Sequence, residues 1–171
     1  LLLCVDFNLG RVSILPRFVG YLLFLSAIRA LEAERRDLGL LRRLAWFLAL
    51  WCGGDWLLSW VGGDLVGHVL FLDILTGVAG IYFQFQFLTD MAALAAAYQP
   101  PGETLERQIL LCRTVETVLV TALSFAVYVP EGPGRTREIF ILLAGIVYVL
   151  TGLYLMMSLF TLRKLFQEKP A

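Results

Sequence analysis

Residues 139–162 read IFILLAGIVYVLTGLYLMMSLFTL, a stretch without one charged side chain, closed by Arg163-Lys164 and a polar tail. A bilayer core takes about 20 consecutive apolar residues in a helix, so this stretch is long enough for a complete span. Working outward, Ile109–Val129 is another full-length candidate, ended by Pro130-Glu131-Gly132-Pro133-Gly134. Leu44–Val61 and Ile14–Leu31 are two more. The latter carries Pro16 in its first turn, where a missing N–H is tolerated. Leu65–Tyr98 is too long for one crossing, on the order of 50 Å at about 1.5 Å per residue. Its membrane part is expected to end near Leu88. Met91–Ala97 then continues as helix outside the core until Pro100-Pro101-Gly102. Leu1–Gly10 is apolar but half-length, and it reads as the outer end of a truncated or broken helix. The fold class expected is all-α, a polytopic transmembrane bundle forming one integral membrane domain over 1–171. It has complete spans near 14–31, 44–61, 65–88, 109–129 and 139–162 and a partial one at 1–10, six in total.

Composition agrees. Of 171 residues, 59% are hydrophobic and only 16% charged, with mean hydropathy +0.78. A soluble domain carries about 45–50% apolar and roughly 25% charged residues, so too much apolar surface would lie outside a single core. The 14 basic residues balance 14 acidic ones. That balance points to no polyanionic partner, and no nucleic acid is expected. Cys4, Cys52 and Cys112 form no CxxC pair or metal spacing, and read as buried free thiols. The lone His68 excludes a bis-histidine haem. No cofactor and no metal are expected. The chain opens on Leu1 rather than Met, from which we expect a preceding segment.

The basic residues set the orientation, because cytoplasmic loops of membrane proteins carry the excess of Lys and Arg. Arg29, Arg35, Arg36, Arg42, Arg43, Arg107, Arg113, Arg163, Lys164 and Lys169 fall on one side. Only Arg11, Arg17, Arg135 and Arg137 fall on the other. The 29–43 loop, the 98–108 loop and the C terminus are therefore expected in the cytoplasm.

Ionisable groups inside a bilayer are costly and normally face the bundle interior or a wet cavity. The candidates are Asp6, Asp55, Asp73, Arg113 and Glu116. Asp64 and Asp90 are set aside as lying near helix ends, within reach of water. Placed at helical intervals, Asp73, Thr76, Gly77, Gly80 and Gln84 share one stripe, where the glycines let a neighbouring backbone approach. This stripe is either a substrate or ion path or a carboxylate hydrogen-bonded for packing, and Asp73 leads the candidates. Asp55 shares a small-polar stripe with Cys52, Ser59 and Gly62, opposite Trp46, Trp56 and Trp60. Arg113 and Glu116, three residues apart, are expected to pair on one helix face. The alternatives for Arg113 are a pair with Asp73 or an anionic headgroup. Asp64 and His68 at i and i+4 supply half a metal site without a third ligand.

Catalytic motifs are missing. Gly53-Gly54-Asp55 and Gly62-Gly63-Asp64 lack the first glycine of the Gly-x-Gly-Asp element of intramembrane aspartyl proteases. No Gly-x-Ser-x-Gly, His-Glu-x-x-His or phosphate-binding loop occurs. At the other end of the chain, Asp6 and Asn8 stand beside Gly10, and Pro16 opens the helix that follows. Such a break builds a binding site in some transporters and an ordinary capped turn at the membrane surface in other proteins.

Asp6-Phe7-Asn8-Leu9-Gly10 followed by Ile14-Leu15-Pro16-Arg17-Phe18-Val19-Gly20-Tyr21 resembles the N-terminal signature of a family of small multi-spanning proteins of Firmicutes. That signature is Asp-x-Asn, then Leu-Pro-x-Phe-x-Gly-Tyr. The family is known only as uncharacterised membrane proteins. The resemblance therefore implies topology and a bacterial cytoplasmic membrane but no activity. It covers about the first 30 residues, with Arg17 where the family carries an acidic residue.

Three functions follow from these residues. The leading expectation is transport or binding of a small solute or ion through a polar bundle interior, at Asp73, Gln84, Thr76, Asp55, Glu116 and Arg113, with Asp6 and Asn8 as a helix-break site. The second is an accessory or structural subunit that packs against another membrane protein, through small-residue faces such as Gly145, Thr151 and Gly152. The third is a lipid-modifying enzyme that holds headgroups with Arg35, Arg36, Arg42 and Arg43. Beyond the lipid bilayer, a homo-oligomer or another membrane protein is the partner class expected.

Overall fold

The computed structural model describes residues 8–9, 12–13, 17–31, 38–60, 70–126 and 136–168. Five helices carry almost all of them: α1 (Arg17–Leu31), α2 (Gly39–Trp60), α3 (Leu70–Tyr98), α4 (Leu105–Ala126) and α5 (Thr136–Glu168). Ahead of α1, β1 (Asn8–Leu9) pairs antiparallel with β2 (Val12–Ser13), Asn8 opposite Ser13 and Leu9 opposite Val12. Asn8 and Leu9 are therefore not the end of a helix, which corrects that part of the expected first span. A glycine next to Leu9 costs a helix about 1 kcal/mol relative to alanine, and β-branched Val12 favours an extended backbone. Residues 1–7, Asp6 among them, lie outside the described residues.

The chain forms two compact units, Leu1–Phe83 and Gln84–Ala171, with α3 contributing to both. In the first, α1 presents Tyr21, Leu25 and Ile28, and α2 presents Leu41, Ala45 and Leu48, with Leu38 just ahead of it. Both follow the alternating three- and four-residue spacing that keeps one helix face toward a partner. Leu25, Ile28, Leu38, Leu41, Ala45 and Leu48 are buried. Rings close the rest of this unit. Phe83 makes T-shaped contacts with Tyr21 and Phe24 at 5.8 and 5.4 Å, and Trp56 packs on Phe18 and Trp60 at 5.6 and 5.4 Å.

In the second unit three helices each carry the same spacing. It runs through Gln84, Leu88, Met91, Ala95 and Tyr98 on α3. On α4 it runs through Leu105, Ile109, Cys112, Glu116, Leu119, Leu123 and Ala126. On α5 it runs through Ala144, Tyr148, Thr151, Leu155, Ser158 and Leu162. Most of these positions are buried and the rest are half-buried. Between α3 and α4, Pro100–Glu103 makes a tight turn, with the Glu103 N–H donating to the Pro100 carbonyl at 3.2 Å. Gly102 sits there at φ +100°, which a type II turn requires at its third position. The Gln99 side chain then accepts from the Glu106 N–H at 3.1 Å, satisfying one of the open donors at the start of α4.

Helix α5 differs from the others in what it shows. Large apolar side chains are exposed around most of its circumference, including Leu142 at 63%, Leu150 at 60% and Met157 at 67%. Among the described residues one helix, Arg137–Gln167, is long and apolar enough to cross a membrane by length and composition, and only 6% of its apolar window is buried. Helix α1, at 15 residues, spans only about 22 Å of a core about 30 Å thick. Helix α4 is long enough but carries Glu106, Arg107, Arg113 and Glu116.

Candidate functional site

The seams of the second unit meet at one charged residue. Glu116 occupies a position on α4 where spacing alone calls for an apolar side chain, and it is only 4% exposed. Gln84, on the α3 seam, donates from Nε2 to Glu116 Oε2 at 2.6 Å. On the α5 side stands Gly152, where a Cβ would lie 3.6 Å from Glu116 Oε1. Among the described residues the carboxylate is thus held by one amide, with a bare backbone opposite its second oxygen. One turn earlier on the same seam lies the fully buried Cys112.

Arg113 does not pair with Glu116, contrary to the sequence expectation. Its Nη1 donates to Thr89 Oγ1 at 2.9 Å, and its guanidinium lies over the Phe85 ring, 4.2 Å from the centroid. Thr89 is free to accept because its own hydroxyl proton goes to the Phe85 carbonyl at 2.7 Å. The reason is helical geometry. Glu116 stays on the buried seam, whereas Arg113 falls beside it and leans toward the helix N terminus, as long helical side chains do. The buried Nε of Arg113 has no hydrogen-bond partner among the described residues.

The remaining candidates are dispersed. Thr76, on the part of α3 that belongs to the first unit, spends its hydroxyl on the Leu72 carbonyl at 2.8 Å. Gly80 there faces the Tyr21 hydroxyl at 3.6 Å from its would-be Cβ, while Gly77 meets nothing within 4 Å. Asp55 is half-buried on α2. Asp73 is in α3, but its side chain lies outside the described residues, as does that of Asn8. Asp64 and His68 lie outside them altogether. Among the described residues no three His, Cys, Asp or Glu side chains come together to hold a metal.

Two residues of this region, Thr89 and Phe85, escaped the sequence reading, since neither carries a charge to single it out. Asp90 was set aside as lying near water, yet it is 9% exposed within α3 and accepts from Gln86 Nε2 at 3.4 Å. Its place three residues after the buried Phe87 on a continuing apolar helix is the signal that marks it. Chemically, a carboxylate in an apolar seam with a single amide donor suits the capture of a proton or a small cation, since any charge that reaches it is held in a medium of low dielectric. Compared with family models, with curated proteins and with solved structures, the chain matches none.

Proposed function

We propose that this chain is a multi-pass helical protein of the bacterial cytoplasmic membrane, with its C terminus in the cytoplasm. In this reading it binds and passes a small cation or polar solute through the interior of its second unit, at Glu116. The observation that carries the proposal is the buried Glu116, held by Gln84 and faced by Gly152. Two features support the membrane setting. Apolar side chains surround α5 without being buried, whereas a helix apolar on all sides is stable in a large core or in lipid. The basic residues also concentrate on one set of loops.

Gln84 orients the carboxylate, and the bare Gly152 backbone leaves room for a dehydrated ion or a proton-bearing solute beside Oε1. Asp73 is the second carboxylate to test. Reconstitution into vesicles holding a pH-sensitive dye, challenged with gradients of proton, sodium and potassium, tests the function. A flux present in the wild type and lost in Glu116→Gln is the expected result. Flux unaltered by that substitution refutes the assignment and turns attention to the accessory-subunit alternative.

A further inference from the structure

Arg113 is a half-buried cation without an acidic partner among the described residues. Its surroundings are specific. Phe85 covers one face of the guanidinium, and the N–H groups that could hold a ligand lie along its edges. Thr89 occupies Nη1, which leaves the edge formed by Nε and Nη2, and the Nε–H is buried without an acceptor. That edge is the side-on fork of arginine, whose two parallel N–H groups match two oxygens of one oxyanion. The obvious internal counter-ion, Glu116, is engaged by Gln84 instead.

We propose that the counter-ion of Arg113 is a phosphate group bound side-on at Nε and Nη2, with Thr89 and Phe85 fixing the guanidinium. A phosphate is favoured over a chloride-like ion because two donors in one plane reward two acceptor oxygens. The location agrees. Arg113 lies eight residues into α4, about 12 Å from its start, and leans back toward the end of the helix that the charge distribution assigns to the cytoplasmic side. A lipid headgroup there and a soluble phosphate present the same chemistry. The headgroup source rests on the membrane reading above, whereas the anion site itself does not.

The test uses the full chain in a neutral detergent, titrated with short-chain phosphatidylglycerol, short-chain phosphatidylcholine and inorganic phosphate, with binding read by native mass spectrometry and calorimetry. Wild type is expected to bind phosphatidylglycerol at least tenfold more tightly than Arg113→Gln. Competition by inorganic phosphate assigns the site to a soluble anion, and failure to compete assigns it to a headgroup; each outcome upholds the phosphate site. Arg113→Lys keeps the charge and loses the fork, and Thr89→Val keeps the guanidinium and loses its clamp. Both are expected to weaken binding several-fold, and they decide the matter if Arg113→Gln does not fold. Equal binding by wild type, Arg113→Lys and Thr89→Val overturns the proposal, as does a wild type that binds neither anionic probe.

Discussion

Replacing Glu116 by glutamine separates the cost of a buried charge from the worth of its hydrogen bond. The side chain is 4% exposed and receives the Gln84 amide at 2.6 Å. Taking an ionised carboxylate out of water costs several kcal/mol even after the protein relaxes. A hydrogen bond to a charged group returns about 1.5–3 kcal/mol, and a neutral one about 0.5–1.5 kcal/mol. Glu116→Gln keeps the length of the side chain and a neutral amide partner while removing the desolvation cost. The variant is therefore expected to be as stable as the wild type or more stable by about 1–2 kcal/mol. Gln84→Leu does the reverse: it removes the donor and leaves the carboxylate in the seam, at a cost of about 1–3 kcal/mol. Unfolding of the full chain by sodium dodecyl sulfate in mixed micelles, followed by helical circular dichroism, measures both. A Glu116→Gln variant destabilised by more than Gln84→Leu refutes the reasoning, because the charge would then be stabilising where it sits.

Other substitutions test the frame around the site in the same assay. Gly102→Ala places a side chain at φ +100° in the turn after α3 and is expected to cost about 1–2 kcal/mol; no loss would mean the turn relaxes. Ile109→Ala empties a fully buried position on the α4 seam and is expected to cost about 2–5 kcal/mol; a loss below about 1 kcal/mol would contradict that packing. At Gly152, alanine fits because its Cβ stands at an ordinary 3.6 Å from Glu116 Oε1, and it is expected to add about 0.5–1 kcal/mol of helix stability. Gly152→Leu pushes further carbons onto the carboxylate and is expected to cost about 1–3 kcal/mol; equal stability of the two variants would place α5 elsewhere.

The helices and the turn that separates α3 from α4 were legible because local chemistry specifies them. Pro100-Pro101-Gly102 names the turn, and long, mainly apolar runs name α2, α3 and α5. The site was legible only in its members. Gln84, Arg113 and Glu116 stand out as polar residues in apolar sequence, but the hydrogen bond between Gln84 and Glu116 joins positions 32 residues apart. No local pattern specifies such a pair. The expected Arg113–Glu116 pair shows where spacing misleads. Three residues put two side chains near one another, yet the longer pattern of Leu105, Ile109, Cys112 and Glu116 already places Glu116 in the seam and Arg113 beside it. Reading the longer period first separates them. Gly152 was legible as a small residue on a packing face, but the carboxylate that faces it, from a position 36 residues earlier, was not.

The central claim is that Glu116 is an interior carboxylate that a proton or small cation can reach. Labelling the purified chain with a hydrophobic carbodiimide across a pH series, with the modified residue read by mass spectrometry, tests it most directly, since the reagent attacks protonated carboxyls in apolar surroundings. The account predicts modification at Glu116 that one particular cation prevents. A folded protein in which Glu116 stays unmodified at every pH contradicts it.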